Sequence, residues 1–166
     1  MSHKLPLNVQ KQQKEFYSGK KRKHTLKSQI IVEQKNQLIV CTAVAKGKEH
    51  DFKIFKITKI KINKDVKCPA DKGYQGIIKI HKKSQTPHKN KKGQNLSQEQ
   101  KIENRKMSSL RIIIEHVNRD LKIFKIISSR YRNRRERFLL RLNLIAGIYN
   151  YELCCLKFVN NGDFRS

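Results

Sequence analysis

Two apolar runs, residues 24–32 and 37–45, are separated by only the four polar residues Glu33 to Asn36, and this constrains the chain more than any other feature. In the first run Leu26, Ile30 and Val32 fall on one side and Lys27 and Gln29 on the other, the period of a half-buried strand. The second carries Leu38, Ile39, Val40, Ala43, Val44 and Ala45 around Thr42 and reads as a strand buried on both faces. So short a link joins neighbouring strands, which makes the pair an antiparallel hairpin. Lys46-Gly47-Lys48 breaks the pattern, and Asp51 is expected to cap a helix starting near Phe52, with Phe52, Phe55 and Ile60 inward.

A short apolar run, Val66 to Ala70, reads as a further strand that delivers Asp71 at its end, with Gly73 and Gly76 flanking a tight turn. The span Lys72 to Gln98 holds seven lysines and no acid, and is expected to be a basic loop, centred on residues 79–97. Ser97 caps a long helix running to about Lys125, with Leu110, Ile113, Ile114, Val117, Leu121 and Phe124 as its apolar stripe. A last helix, from about Arg132 to Phe158, starts with Arg134, Arg135, Arg137 and Arg141 and becomes apolar around much of its circumference, so it should pack across the sheet. The order of elements is that of an α/β domain with a mixed sheet, over residues 24–158. Residues 1–23 form a basic arm ending in Lys20, Lys21, Arg22 and Lys23, and 159–166 a tail.

Charge sets the partner. With 39 Lys plus Arg against 13 Asp plus Glu, the formal net charge is +26, a field that attracts polyanions, nucleic acid first among them. Lysine outnumbers arginine beside many Ile and Asn, which tracks codon bias in part, but bias does not account for the shortage of acids. Cys41, Cys68, Cys154 and Cys155 show neither C-x-x-C pairing nor zinc-ligand spacing with the six histidines, which fits reduced thiols in a cytoplasmic protein. No signal peptide and no membrane-length apolar run is evident, so no membrane partner is expected.

Arg111, Glu115 and Lys122 share one helical edge, because at 3.6 residues per turn Arg111 lies about 40° and Lys122 about 20° around the axis from Glu115. Glu115 lies off the apolar stripe and is not a core carboxylate. Asp71, at a strand end before a glycine turn, and Glu115, on the later helix, can share hard divalent cations if the fold brings them together. The plainer readings stay open: Asp71 as a turn residue, Glu115 as a surface ion pair with Arg111 and Arg119 worth about 0.2–0.5 kcal/mol. His50 and His116 read as structural or solvent-facing.

Several blocks in order carry a resemblance: Glu15-Phe-Tyr-Ser-Gly-Lys-Lys-Arg-Lys-His24-Thr25, Lys48-Glu-His50-Asp51-Phe, Ala70-Asp71-Lys-Gly-Tyr74-Gln-Gly76, Arg111-Ile-Ile-Ile-Glu115-His, Arg130-Tyr-Arg-Asn-Arg-Arg and Asn143-Leu-Ile-Ala-Gly-Ile-Tyr-Asn150. Together they resemble insertion-sequence transposases carrying a DDE superfamily endonuclease domain. The resemblance implies a ribonuclease H-like mixed sheet flanked by helices, with Asp71 and Glu115 as the second and third metal-binding carboxylates. It implies Mg²⁺ or Mn²⁺, two ions in the intact enzyme, and DNA transposition as the activity. The Arg-x3-Glu-x6-Lys spacing matches that family's Tyr-x2-Arg-x3-Glu-x6-Lys signature, in which Arg111 and Lys122 would contact transposon-end DNA. Ser108 stands where the signature has Tyr, which weakens the expected stacking on a terminal base. Arg119 and Lys20 to Lys23 are further candidates for phosphate contact.

A second departure lies upstream, since no Asp precedes Asp51, where the family has its first metal-binding aspartate. The chain therefore looks like a C-terminal part of a transposase, with the first strand missing and little activity alone. It would work as a homodimer or paired with an upstream transposase half, in the cytoplasm and on the nucleoid when DNA-bound. The competing function is a basic nucleic-acid-binding protein without chemistry.

Overall fold

The computed structural model describes residues 2–6, 17–18, 23–90, 95–129, 131 and 135–161. At its centre is β3 (Lys23–Val32), which pairs antiparallel with β1 (Ser2–Pro6) along one edge and with β4 (Ile39–Lys46) along the other. A two-residue strand, β2 (Tyr17–Ser18), pairs with the start of β3. The expected β3–β4 hairpin is present, with its turn at residues 34–36 and Gln37 at a φ of 60°. Ser2–Pro6, within the stretch read as an arm, is a strand of this sheet.

Helix α1 (Asp51–Ile57) follows the hairpin. A second, two-stranded parallel sheet joins β5 (Cys68–Pro69) to β6 (Ser84–Gln85). Then come α2 (Gln98–Leu121), the single turn α3 (Lys125–Ser128) and α4 (Phe138–Asn161). The capping of α2 is as the sequence implies: Ser97 accepts from the Gln100 amide and the Gln100 side chain reaches back, a reciprocal capping box.

The faces of β3 look into two apolar clusters. Leu26 and Ile30 pack with Val117 and Leu121 of α2, Ile127 of α3, Tyr131, and Phe138, Leu142, Ile145 and Tyr149 of α4. Ile31, on the opposite face, packs with Phe52 and Phe55 of α1, Tyr74 and Ile77. The helix α4 thus lies across the sheet as expected. Asn150 ties it there: its side chain accepts from Ile39 N at 2.9 Å and donates to Ile39 O at 2.9 Å. Asn143, two turns earlier on the same helical face, bonds the Thr42 hydroxyl.

The sheet corrects one expectation firmly. Residues 25–30 of β3 are all buried, Lys27 and Gln29 included, because strands flank both edges and apolar layers cover both faces. Conversely, β4 is not buried on both sides; Val40 faces solvent. The expected basic loop is ordered at its start. Three-residue turns of 3₁₀ helix at Lys72–Tyr74 and Ile77–Lys79 lead into β6, and His81 is buried, its ring nitrogens 2.9 Å from Ser84 Oγ and 2.9 Å from Asn63 O.

Candidate active site

The site is built where the second cluster meets α2. Pairing of β5 with β6 ends at Pro69, and Ala70 N donates to Gln85 O at 2.8 Å, so Asp71 emerges from an anchored strand end. Its Oδ1 accepts from Lys72 N at 2.7 Å, capping the turn Lys72–Tyr74. That is the local role a turn residue would have. The same Oδ1 lies 3.6 Å from one terminal nitrogen of Arg111, and the other terminal nitrogen of Arg111 lies 3.4 Å from Glu115 Oε1. One guanidinium on α2 therefore touches both carboxylates that the sequence singled out. Asp71 is 31% exposed and Glu115 51%, so both remain open to solvent and to a large ligand.

The turn that carries Asp71 is held from behind by an unexpected ion pair. Gly47 packs so tightly on β3 that a Cβ there would sit 1.9 Å from Thr25 Oγ1, and its amide donates to Thr25 O at 2.8 Å. That close approach folds the β4–α1 connection over the sheet, where Lys27 Nζ donates to Glu49 O at 2.6 Å and meets Asp51 Oδ1 at 2.9 Å. A buried ammonium needs such acceptors, since leaving it unpaired in a low-dielectric site is costly. Asp51 is thus not the helix cap expected of it; His50 occupies the cap position without a side-chain bond, and Asp51 is the first helical residue. Its other carboxylate oxygen lies 2.6 Å from where a Cβ on Gly73 would be, so the turn bearing Asp71 rests directly against Asp51.

Tyr74 is 4% exposed with its hydroxyl unpartnered among the described residues. Burial first, then the charges of Asp51 and Asp71, push its pKa far above the usual tyrosine value. Burial likewise raises the Cys68 thiol, against a lowering hydrogen bond with Ser84. Arg111 Nε is also buried without a partner among the described residues.

The remaining candidates scatter. Arg119 is exposed and pairs with neighbouring Asp120 at 3.4 Å, not with Glu115. Lys122 ends α2 as its cap, exposed. Ser108 donates to Asn104 O at 2.9 Å, turned back onto its own helix. Lys20, Lys21 and Arg22 lie outside the described residues, and Lys23 is the first residue of β3. Arg141, grouped with the basic start of α4, stacks 5.6 Å over the Tyr131 ring. Sequence reasoning missed Lys27, whose period-two position gave an exposed face. The only available signal was its rarity: a lysine in the middle of an apolar run, upstream of a glycine turn and an aspartate.

As a metal site the donor set is spare. Among the described residues no group of three or more His, Cys, Asp or Glu side chains gathers as ligands. Two carboxylates facing one cation, both solvent-open, do suit a Mg²⁺-type ion, which is commonly held by one or two carboxylates and keeps its other positions for water and substrate phosphates. Among the described residues no helix is long and apolar enough to cross a membrane.

Known proteins resemble this chain over most of its length. A probable transposase for insertion sequence element IS702 from Microchaete diplosiphon is 57% identical over 143 residues, 86% of this chain and 52% of that protein. The chain thus spans about half the length of the curated relative it matches. No solved structure matches it. The family described as DDE superfamily endonuclease matches residues 3–155, nearly the whole length, and the chain belongs to that family.

Proposed function

We propose that this chain contributes to a DDE-type transposase core with a ribonuclease H-like arrangement, and that Asp71 and Glu115 hold divalent metal, Mg²⁺ or Mn²⁺, at the phosphodiester to be cut. The observation that carries the reading is the contact of Arg111 with both acids, which joins the end of β5 to the middle of α2. The metal ions, when bound, would stabilise the attacking and leaving oxygens of an in-line displacement. Asp71 and Glu115 supply its anionic ligands. Arg111 and Lys122, on the same helical edge, neutralise the phosphates of the transposon end. The net charge of +26 extends that attraction to the flanking DNA and to the target.

The 166-residue chain has no Asp before Asp51. Asp51 is engaged with Lys27. We read Asp71 and Glu115 as two of the acids of the site, with any further bridging acid supplied from outside these 166 residues. The test is Mn²⁺- or Mg²⁺-dependent nicking of transposon-end DNA by this chain, alone and mixed with the part of the relative that it lacks. The mixture is expected to nick, and Asp71→Ala or Glu115→Ala to abolish nicking while leaving DNA affinity intact. Nicking that survives both substitutions overturns the assignment; strong nicking by these 166 residues alone overturns the need for a further acid. The same positive charge favours a second reading, a basic nucleic-acid-binding protein without chemistry, for which neither substitution changes anything.

A further inference from the structure

We infer that Lys27 and Asp51 are positioning residues for the reaction: a buried charge pair whose task is to set the turn that presents Asp71. The inference rests on the reading of Asp71 as a metal ligand and goes beyond it, because neither residue is among the proposed ligands.

Three observations converge. First, Lys27 is an expensive residue where it stands, with a side chain only 6% exposed in the middle of the central strand. An aliphatic side chain would fill that place at lower cost, since replacing a buried pair by apolar residues of similar volume is often neutral or stabilising. Second, what Lys27 holds is not its own strand. Its ammonium grips Glu49 O at 2.6 Å and Asp51 Oδ1 at 2.9 Å, fixing the first turn of α1 over the sheet. Third, Oδ2 of the Asp51 carboxylate abuts Gly73, one residue from Lys72, whose amide donates to Asp71 Oδ1. The absence of a side chain at Gly73 is what allows this approach.

The chain of contact is therefore short: Lys27 in β3, Asp51 in α1, the backbone of Gly73, and Asp71 Oδ1 aimed at Arg111. Groups that orient a metal ligand from behind are worth about 10–100-fold in metal affinity when removed. An isosteric loss of charge at Asp51 should let the turn rotate without unfolding the protein.

The test uses the intact 166-residue chain. Mn²⁺ affinity is read from the free-ion electron paramagnetic resonance signal, beside the ¹H–¹⁵N spectrum and thermal unfolding, for wild type, Asp51→Asn, Lys27→Met and Lys27→Arg. Expected are about 10–100-fold weaker Mn²⁺ binding in Asp51→Asn and Lys27→Met, with cooperative unfolding retained. Displaced amide resonances at Lys72, Gly73 and Tyr74 should accompany it, and Lys27→Arg should restore both. Wild-type affinity in folded Asp51→Asn overturns the inference. Outright unfolding of Asp51→Asn also overturns it, by making the pair a stability element only. If wild type binds no Mn²⁺, the metal reading has failed on its own. The pair is then judged by the three amides, whose displacement in Asp51→Asn upholds the positioning and whose constancy refutes it.

Discussion

Arg111 and Asp71 meet across the fold, a terminal guanidinium nitrogen 3.6 Å from the carboxylate, and the same guanidinium lies 3.4 Å from Glu115 one helical turn away. Without metal, the arginine is the cation between the two acids, so it opposes any ion entering there. Arg111→Ala should tighten Mn²⁺ binding by up to about fivefold, the equivalent of exposed ion pairs worth about 0.2–1 kcal/mol. The same change should weaken DNA binding, since it removes the phosphate contact proposed for Arg111. Titration of the variant with Mn²⁺ and with DNA separates the two effects.

DNA affinity should fall steeply with salt, as expected of a chain of net charge +26. Lys122→Ala should weaken binding about equally for all sequences and reduce the slope of log affinity against log salt by about 1. Fluorescence anisotropy over a salt series measures both.

Two glycines predict opposite outcomes. A Cβ at Gly47 would lie 1.9 Å from Thr25 Oγ1 and 2.5 Å from the Thr25 carbonyl, which is backbone and cannot move aside. Gly47→Ala should therefore destabilise by at least about 1–3 kcal/mol, and should also loosen Lys27. Gly147, inside α4, has open space around its missing Cβ. Gly147→Ala should stabilise by about 0.5–1 kcal/mol through helix propensity. Urea unfolding of the pair checks the contrast.

Much of this was legible before any coordinates. The β3–β4 hairpin, the helix cap at Ser97 and the contact of Arg111 with Glu115 are local, decided by spacing over a few residues. What escaped was tertiary. Lys27 looks solvent-facing from strand periodicity, because its burial depends on the turn around Gly47 folding back over it. Asp51 looks like a cap, because nothing nearby in sequence announces Lys27 as its partner. The start of the lysine-rich stretch looks like an open loop, yet Tyr74, Ile77 and His81 anchor it. The approach of Asp71 to Arg111 needs β5, its partner β6 and α2 all in place, and no spacing rule encodes that.

Tyr74 gives a pH signature. Its folded pKa lies above the ordinary value of about 10 for a free tyrosine. A group held protonated in the folded state contributes stability that is complete below the unfolded pKa and is lost as pH rises from there towards the folded one. Stability should thus decline above about pH 10, and Tyr74→Phe should flatten that decline. Near neutral pH the same variant should be neutral or stabilising by about 1 kcal/mol, because it removes a buried hydroxyl that lacks a partner among the described residues. Denaturant titrations across the alkaline range test both limbs.

The central claim is that Asp71 and Glu115 share one divalent ion, and Mn²⁺ broadening of the ¹H–¹⁵N spectrum tests it most directly. The account predicts selective loss of the amide signals of Lys72 and His116 together at low Mn²⁺, abolished in Asp71→Asn and in Glu115→Gln. Broadening at only one of the two places, or broadening that persists in either variant, contradicts it.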